Sequence, residues 1–424
     1  MPVGNKDIEN AELHSAGLVN TRLLVISNCL MFFAAPVVYV GVVQAALCNK
    51  LGATATIANL PASAYFFGCL VPIFLARVLP YRLERSAVVG AYVVTSLLLA
   101  SVFLTLVLPL GNGVRILVLI AQGLIQGFAS SVAQVYMYQC MGRGTTEKQR
   151  ARAMRLIFTY GPIAAVLGSL GAQFILNRGI GFLVYPHDFA FLFLLAIPCT
   201  VGAAYFSSRY KLIPVHEPAR YKDQPFLSFI QQATKSFVSD RRLLWLWFAY
   251  LFWYFTLNAM PNLTLYASEA MGKEPAEISG VAMALRFGFK SLGGFMLGTI
   301  ALKYGHKSPL IVAVLLLGAA PIWVWSVHGV YFLFAFGLMG AGELGGAYFP
   351  NYGVTLSTPT TGAVNLAILS LVTPVSSIAP VIHGALTDNF GFRASFVFGI
   401  ATACLALLLL LYQPNVAQGT KDVA

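Results

Sequence analysis

Charged side chains are scarce in this sequence. Asp, Glu, Lys and Arg make up 10% of its 424 residues, and acids are the rarer sign, 15 against 27 bases. A soluble chain of this length could not hide the 58% of residues that are hydrophobic, so lipid must act as solvent for most of it. Cysteine is sparse too. Cys29, Cys48, Cys69, Cys140, Cys199 and Cys404 fall mostly within or at the ends of apolar runs, without CxxC or Cys/His spacing, so neither a disulfide framework nor a zinc site is indicated. Paired carboxylates, metal-ligand clusters, a Gly-Lys-Ser/Thr phosphate loop and a nucleophile elbow are missing. That argues against an enzyme and against a pump with its own ATPase domain, and no cofactor or metal is expected. The start, MPVGNKDIENAELHSAGLVNTR, lacks a signal peptide's basic-then-apolar pattern and cleavage site, so the first apolar run is expected to remain as an anchor.

What is present is long apolar runs. A membrane helix needs ~20 apolar residues, and by that measure twelve spans are expected, at about 22–47, 54–78, 86–109, 114–141, 152–177, 188–207, 242–269, 276–303, 308–327, 329–357, 362–387 and 391–413. One polar linker, Ser208–Asp240, splits them six and six. The expected organisation is a tail over 1–21, a bundle over 22–207, a linker over 208–241, a second bundle over 242–413 and a tail over 414–424. In the linker, Pro225-Phe-Leu-Ser-Phe-Ile with Ala233, Phe237 and Val238 recurs at helical spacing, predicting an amphipathic surface helix.

An even count puts both termini on one side. That side collects twenty bases, among them Lys6, Arg22, Arg77, Arg82, Arg85, Arg143, Lys148, Arg150, Arg152, Arg155 and Lys421. The other holds five: Lys50, Arg115, Arg178, Lys273 and Arg393. Such a bias makes both termini cytoplasmic, so the net charge of +12 reports orientation in a bilayer and not a nucleic-acid partner. The halves also echo each other. Glu84-Arg-Ser-Ala-Val-Val aligns with His306-Lys-Ser-Pro-Leu-Ile, and Asp188-Phe-Ala-Phe with Arg393-Ala-Ser-Phe. Two such halves are a transporter signature, with the site expected at the midplane between them.

Three stretches carry a family resemblance. Gly298-Thr-Ile-Ala-Leu-Lys-Tyr-Gly-His-Lys follows a loop pattern of Gly, three residues, acid, base, one residue, Gly, base, base, with Leu302 in the place of the acid. Its first-half counterpart, Ala76-Arg-Val-Leu-Pro-Tyr-Arg-Leu-Glu-Arg, keeps the bases but not the glycines. Gly161-Pro-Ile-Ala-Ala-Val-Leu-Gly-Ser-Leu-Gly and Gly384-Ala-Leu-Thr-Asp-Asn-Phe-Gly-Phe-Arg complete the set. With twelve spans and a central loop, the chain resembles the major facilitator superfamily, subfamily unidentified. The resemblance implies an all-α membrane protein of two pseudo-symmetric six-helix bundles, working by alternating access. It also implies a central cavity lined by the first, second, fourth and fifth helix of each half. The loop residues Gly298, Lys303, Gly305, His306 and Lys307 are carried over from its motif.

Ionised residues at membrane depth cost at least ~2.5–3.5 kcal/mol each, so they are usually kept for a task. Arg286 and Lys290, four residues apart, share a helical face in the eighth span, with Gly288, Gly293, Gly294 and Gly298 expected to admit neighbouring helices. Glu343 in the tenth span lies at matching depth, about 21 Å against 16 Å from the outer ends. Two bases and one acid leave a positive charge for a substrate carboxylate or phosphate, and a protonatable Glu343 offers proton coupling. The competing reading is a fixed Arg286–Glu343 pair with Lys290 snorkelling toward the cytoplasm. Tyr39, Gln122, Gln126, Asn258, Tyr348 and Asn351 are candidate substrate contacts, and the alternative for Tyr348 and Asn351, as for Tyr352, is to satisfy the turn broken by Pro350. His383 is a second proton candidate, and Asp388 and Arg393 are expected to pair in solvent. The expectation is a secondary transporter for a small polar, anionic organic solute. It is taken to be proton-coupled, monomeric and resident in a bacterial inner membrane. Export of amphipathic or cationic compounds, or a receptor or assembly factor without flux, are the alternatives.

Overall fold

The computed structural model of the chain describes residues 4–70, 83–177, 179–212, 226–357 and 362–414. The end of the second span beyond residue 70, the first-half basic loop with Arg77 and Arg82, Arg178, Pro225 and Lys421 lie outside the described residues.

Ten helices among the described residues are long and apolar enough to cross a membrane. An eleventh, Pro275–Tyr304, has 30 residues but is diluted by Arg286 and Lys290, and a twelfth, Ala55–Gly68, runs to the edge of the described region. Together they give the twelve spans of a multi-pass membrane protein. The face where the chain ends lie is called the terminal face below, and the other the opposite face.

Packing repeats between the halves. The first span packs on the fifth and sixth, the second on the fourth, and the third on the fourth and sixth. Six positions on, the seventh packs on the eleventh and twelfth, the eighth on the tenth, and the ninth on the tenth and twelfth. The bundles meet where the second span packs on the eleventh and the fifth on the eighth, two contacts that the same six-helix shift exchanges. Each half has its own core, with Leu99, Phe189 and Phe193 buried in the first and Leu246, Phe287, Phe336 and Phe349 in the second.

Local chemistry sets the ends of these helices. Thr146 and Gln149 form a reciprocal cap at the start of the fifth span, Glu147–Leu176. Asp240 accepts from Arg242 N (2.9 Å) where the linker helix Phe226–Ser239 hands over to the seventh span. Gly305 ends the eighth span at φ +84°, a conformation that favours glycine. Lys307 Nζ then reaches the carbonyls of Leu411 (3.2 Å) and Gln413 (2.6 Å), a cation at the C-terminus of the last span. The motif loop thus ties two helix ends. Leu302, at its acid position, is 80% exposed.

Candidate functional site

Glu343 is the partner of both bases of the eighth span. It accepts from Arg286 Nε at 2.9 Å and from Lys290 Nζ at 3.0 Å, with side-chain exposures of 14%, 11% and 22% in that order. Lys290 therefore turns toward the acid and does not snorkel. The cluster keeps one positive charge more than it neutralises.

Small residues bring these helices together, though mostly not those expected. A Cβ at Gly340 would sit 2.0 Å from the Arg286 carbonyl, and Gly337 faces the Phe289 ring. On the eighth span only Gly293 of the predicted four is packed tightly, since a Cβ there would sit 3.1 Å from Ala341 Cβ. Gly288 and Gly294 border open space, and Gly298 meets only Tyr348 Oη, at 4.0 Å. The tenth span breaks at the acid, between Phe334–Gly342 and Gly345–Thr355. Aromatic donors from the seventh span repair the break. Trp253 Nε1 donates to Gly342 O (3.2 Å), and Tyr250 Oη to Gly346 O (3.4 Å), the carbonyl that Pro350 leaves without its helical donor. Tyr352 does not serve that turn, as its hydroxyl donates to Pro414 O.

Rings wall the cluster. Phe287 lies 5.8 Å from the Arg286 guanidinium and 5.9 Å from Lys290 Nζ, and its edge meets Phe32 and Tyr39 of the first span. Tyr39 occupies a break in that span, between Ala35–Val38 and Val42–Lys50, where Gly41 takes φ +150°. Gln44 and Gln122 both donate to the buried carbonyl of Val37 (2.8 and 3.2 Å), which supports the break. Tyr39 lies within electrostatic reach of Arg286 and Glu343, Tyr254 within reach of Glu343, and Tyr65 within reach of both tyrosines. Gln126 donates to Ser130 Oγ (3.0 Å), leaving its own carbonyl oxygen and that of Gln122 buried without a partner. Tyr254 escaped the sequence reading, because an aromatic in an apolar helix is ordinary. Its spacing with Tyr250 and Trp253, one turn of one face, was the available signal.

Other candidates are committed elsewhere. His383 is fully buried, with Nε2 donating to Phe255 O (2.9 Å) and Nδ1 on Ser395 Oγ (2.8 Å), so packing occupies both ring nitrogens. Asn258, 2% exposed, donates to Ser376 O (3.3 Å). Tyr348 and Asn351 lie nearer the terminal face, Tyr348 half-buried and Asn351 exposed. Asp388 does not pair with Arg393. It crosses to the other bundle and accepts from Ala55 N and Thr56 N, both 2.9 Å, and Thr56 Oγ1, 2.5 Å.

That crossing belongs to a seal. Lys50 bridges to Glu274 (2.7 Å), Asn59 donates to Asn262 (2.6 Å), and Gln173 grips Glu277 O and Val281 N. All these ties between bundles lie toward the opposite face. Toward the terminal face the same helices present small or exposed residues. Gly294 and Gly298 continue the face of Arg286 and Lys290, while Ala347 and Asn351, both exposed, continue that of Glu343. The site is closed on one side and approachable from the other.

A charged, ring-walled cluster between two symmetric bundles, sealed on one face, is the arrangement of a secondary transporter and not of an enzyme. The family model described as Major Facilitator Superfamily matches residues 24–285, more than half of the chain. The chain belongs to that superfamily. No curated protein matches it in sequence. Among solved structures, it is similar to the partially occluded, inward-open xylose transporter XylE from E. coli. The TM-score is 0.68 at 12% identity, over 95% of this chain and 99% of that one. It is also similar to a D-xylose-proton symporter (0.65, 13%, 94% and 98%) and to the nucleoside transporter NupG (0.62, 11%, 93% and 97%). At these identities the likeness shows the fold.

Proposed function

We propose that this transporter moves a small polar organic solute of negative charge by alternating access, with Arg286 as anchoring cation and Glu343 as the coupling acid. The observation that carries the reading is the Arg286–Glu343–Lys290 cluster, two cations on one carboxylate in a part-buried site. An incoming carboxylate or phosphate balances the surplus charge and competes with Glu343 for Arg286. Once displaced, Glu343 is free to take a proton, which links the two cargoes. Tyr39, Gln126 and Tyr254 supply hydroxyls and an amide for the rest of the solute. Proton coupling draws support from the described symporter of the same fold.

The terminal face is read as cytoplasmic from its excess of bases, in a bacterial inner membrane, which makes the present conformation inward-open. A monomer suffices for the mechanism, because both bundles belong to one chain. A second reading, export of amphipathic cations onto Glu343, draws on the rings around the cluster. The test is counterflow in proteoliposomes with the wild type, Arg286→Ala and Glu343→Gln. The proposal expects Arg286→Ala to lose exchange of anions. It expects Glu343→Gln to keep exchange but to lose accumulation driven by a proton gradient. Undiminished anion counterflow in Arg286→Ala at normal expression would falsify it.

A further inference from the structure

Away from the central cluster, the terminal-face ends of the first and fifth spans leave a notch of about 270 Å³. Leu18, Arg22 and Ile26 line it from the first span, and Gln149, Arg152 and Leu156 from the fifth. Its polar floor is already satisfied. Gln149 Nε2 donates to the His14 carbonyl (2.8 Å), its Oε1 accepts from Thr146 N (3.0 Å), and Thr21 Oγ1 donates to Gly17 O (2.8 Å). The guanidiniums are not. Among the described residues neither Arg22 nor Arg152 has a carboxylate in ion-pair reach, and both are exposed.

The direction in which the notch opens identifies its occupant. Arg152 and Leu156 begin a stripe of the fifth span that continues through Ile163, Leu167, Leu170 and Phe174, the last four at least 50% exposed. The stripe passes the level where the bundles are sealed, so it faces lipid and not the transport route. On the first span, Leu18 (48%), Ile26 (41%) and Phe33 (46%) form a parallel exposed stripe through Arg22. Two cations with no carboxylate in ion-pair reach among the described residues thus stand at headgroup level above an apolar, lipid-facing furrow.

We infer that the notch binds the phosphate of an anionic phospholipid in the leaflet at the terminal face, with its acyl chains in the furrow below. Guanidinium forks suit a phosphodiester, and basic pockets between membrane helices at this level suit anionic headgroups. A free phosphate accounts for the arginines but leaves the apolar furrow without a role.

The test is the thermal unfolding of the full-length protein in detergent with added phosphatidylglycerol, phosphatidylcholine of matched chains, or inorganic phosphate. Phosphatidylglycerol is expected to raise the midpoint by about 3 °C over phosphatidylcholine, with inorganic phosphate giving no shift. The Arg22→Gln/Arg152→Gln variant is expected to lose that difference, and Arg22→Lys/Arg152→Lys to keep part of it. Should the double Gln variant fail to fold, Leu156→Trp fills the notch without touching either charge and is expected to abolish the difference as well. An undiminished phosphatidylglycerol shift in the folded Gln variant or in Leu156→Trp would overturn the assignment, as would an equal shift with inorganic phosphate.

Discussion

Glu343 carries two partners, so its removal and the removal of Lys290 are unequal events. Taking away the carboxylate leaves two cations side by side in a part-buried site, and losing one partner of a buried pair costs ~3–5 kcal/mol. Glu343→Ala is therefore expected to melt well below the wild type in detergent. Lys290→Met keeps the Arg286–Glu343 bond and removes only the surplus charge. It should fold normally and raise KM for an anionic solute by about tenfold, equivalent to ~1.4 kcal/mol of binding. An unchanged KM would mean that Lys290 does not meet the substrate. All three residues were legible in the sequence, because an ionised side chain in an apolar run is too costly to be incidental. His383 stood out for the same reason, but its commitment to Phe255 and Ser395 depends on neighbours from two other helices. Trp253 and Tyr250 were invisible in their repair role, since an indole or phenol reveals its acceptor only once helices are packed.

Helix elements divide the glycines into two kinds that sequence alone does not separate. Gly340 lies against the backbone of the eighth span, and any side chain there forces the two helices apart. Gly294, four residues beyond Lys290, borders open space on the approach to the cluster. Overpacking costs ~1–3 kcal/mol, so Gly340→Val is expected to lower the melting temperature and uncouple Arg286 from Glu343. Gly294→Val should leave the melting temperature unchanged and slow transport by narrowing the approach. Equal melting of the two variants would refute this division. The twelve spans themselves were legible because a bilayer imposes one length and one composition on each. The breaks at Tyr39 and Glu343 were not, since their stability depends on Gln122, Gln44 and Trp253 reaching buried carbonyls at the breaks.

At the scale of the whole molecule, the seal on the opposite face decides which side the site serves. Asp388 caps the second span from the other bundle, and a helix cap is worth ~0.5–2 kcal/mol. Asp388→Ala should therefore raise the population open at that face by about fivefold, at ~1 kcal/mol. A cysteine placed at Tyr39, beside the cluster, would then react faster with a membrane-impermeant thiol reagent added at the opposite face. A rate equal to that of the parent would show that the cap does not hold the bundles together. The sequence suggested a local Asp388–Arg393 pair because the two are neighbours in the chain. Contacts between bundles join residues from 104 to 333 positions apart, and no local pattern announces them.

The proposed transport of an anion turns on the surplus positive charge at Arg286, Lys290 and Glu343. The most direct test is ligand-induced thermal stabilisation of the purified protein across matched sets of anionic, neutral and cationic metabolites, repeated on Arg286→Gln. Stabilisation by anions in the wild type, lost in Arg286→Gln, is the predicted result. Stabilisation by cations alone, or by anions equally in both proteins, would contradict it.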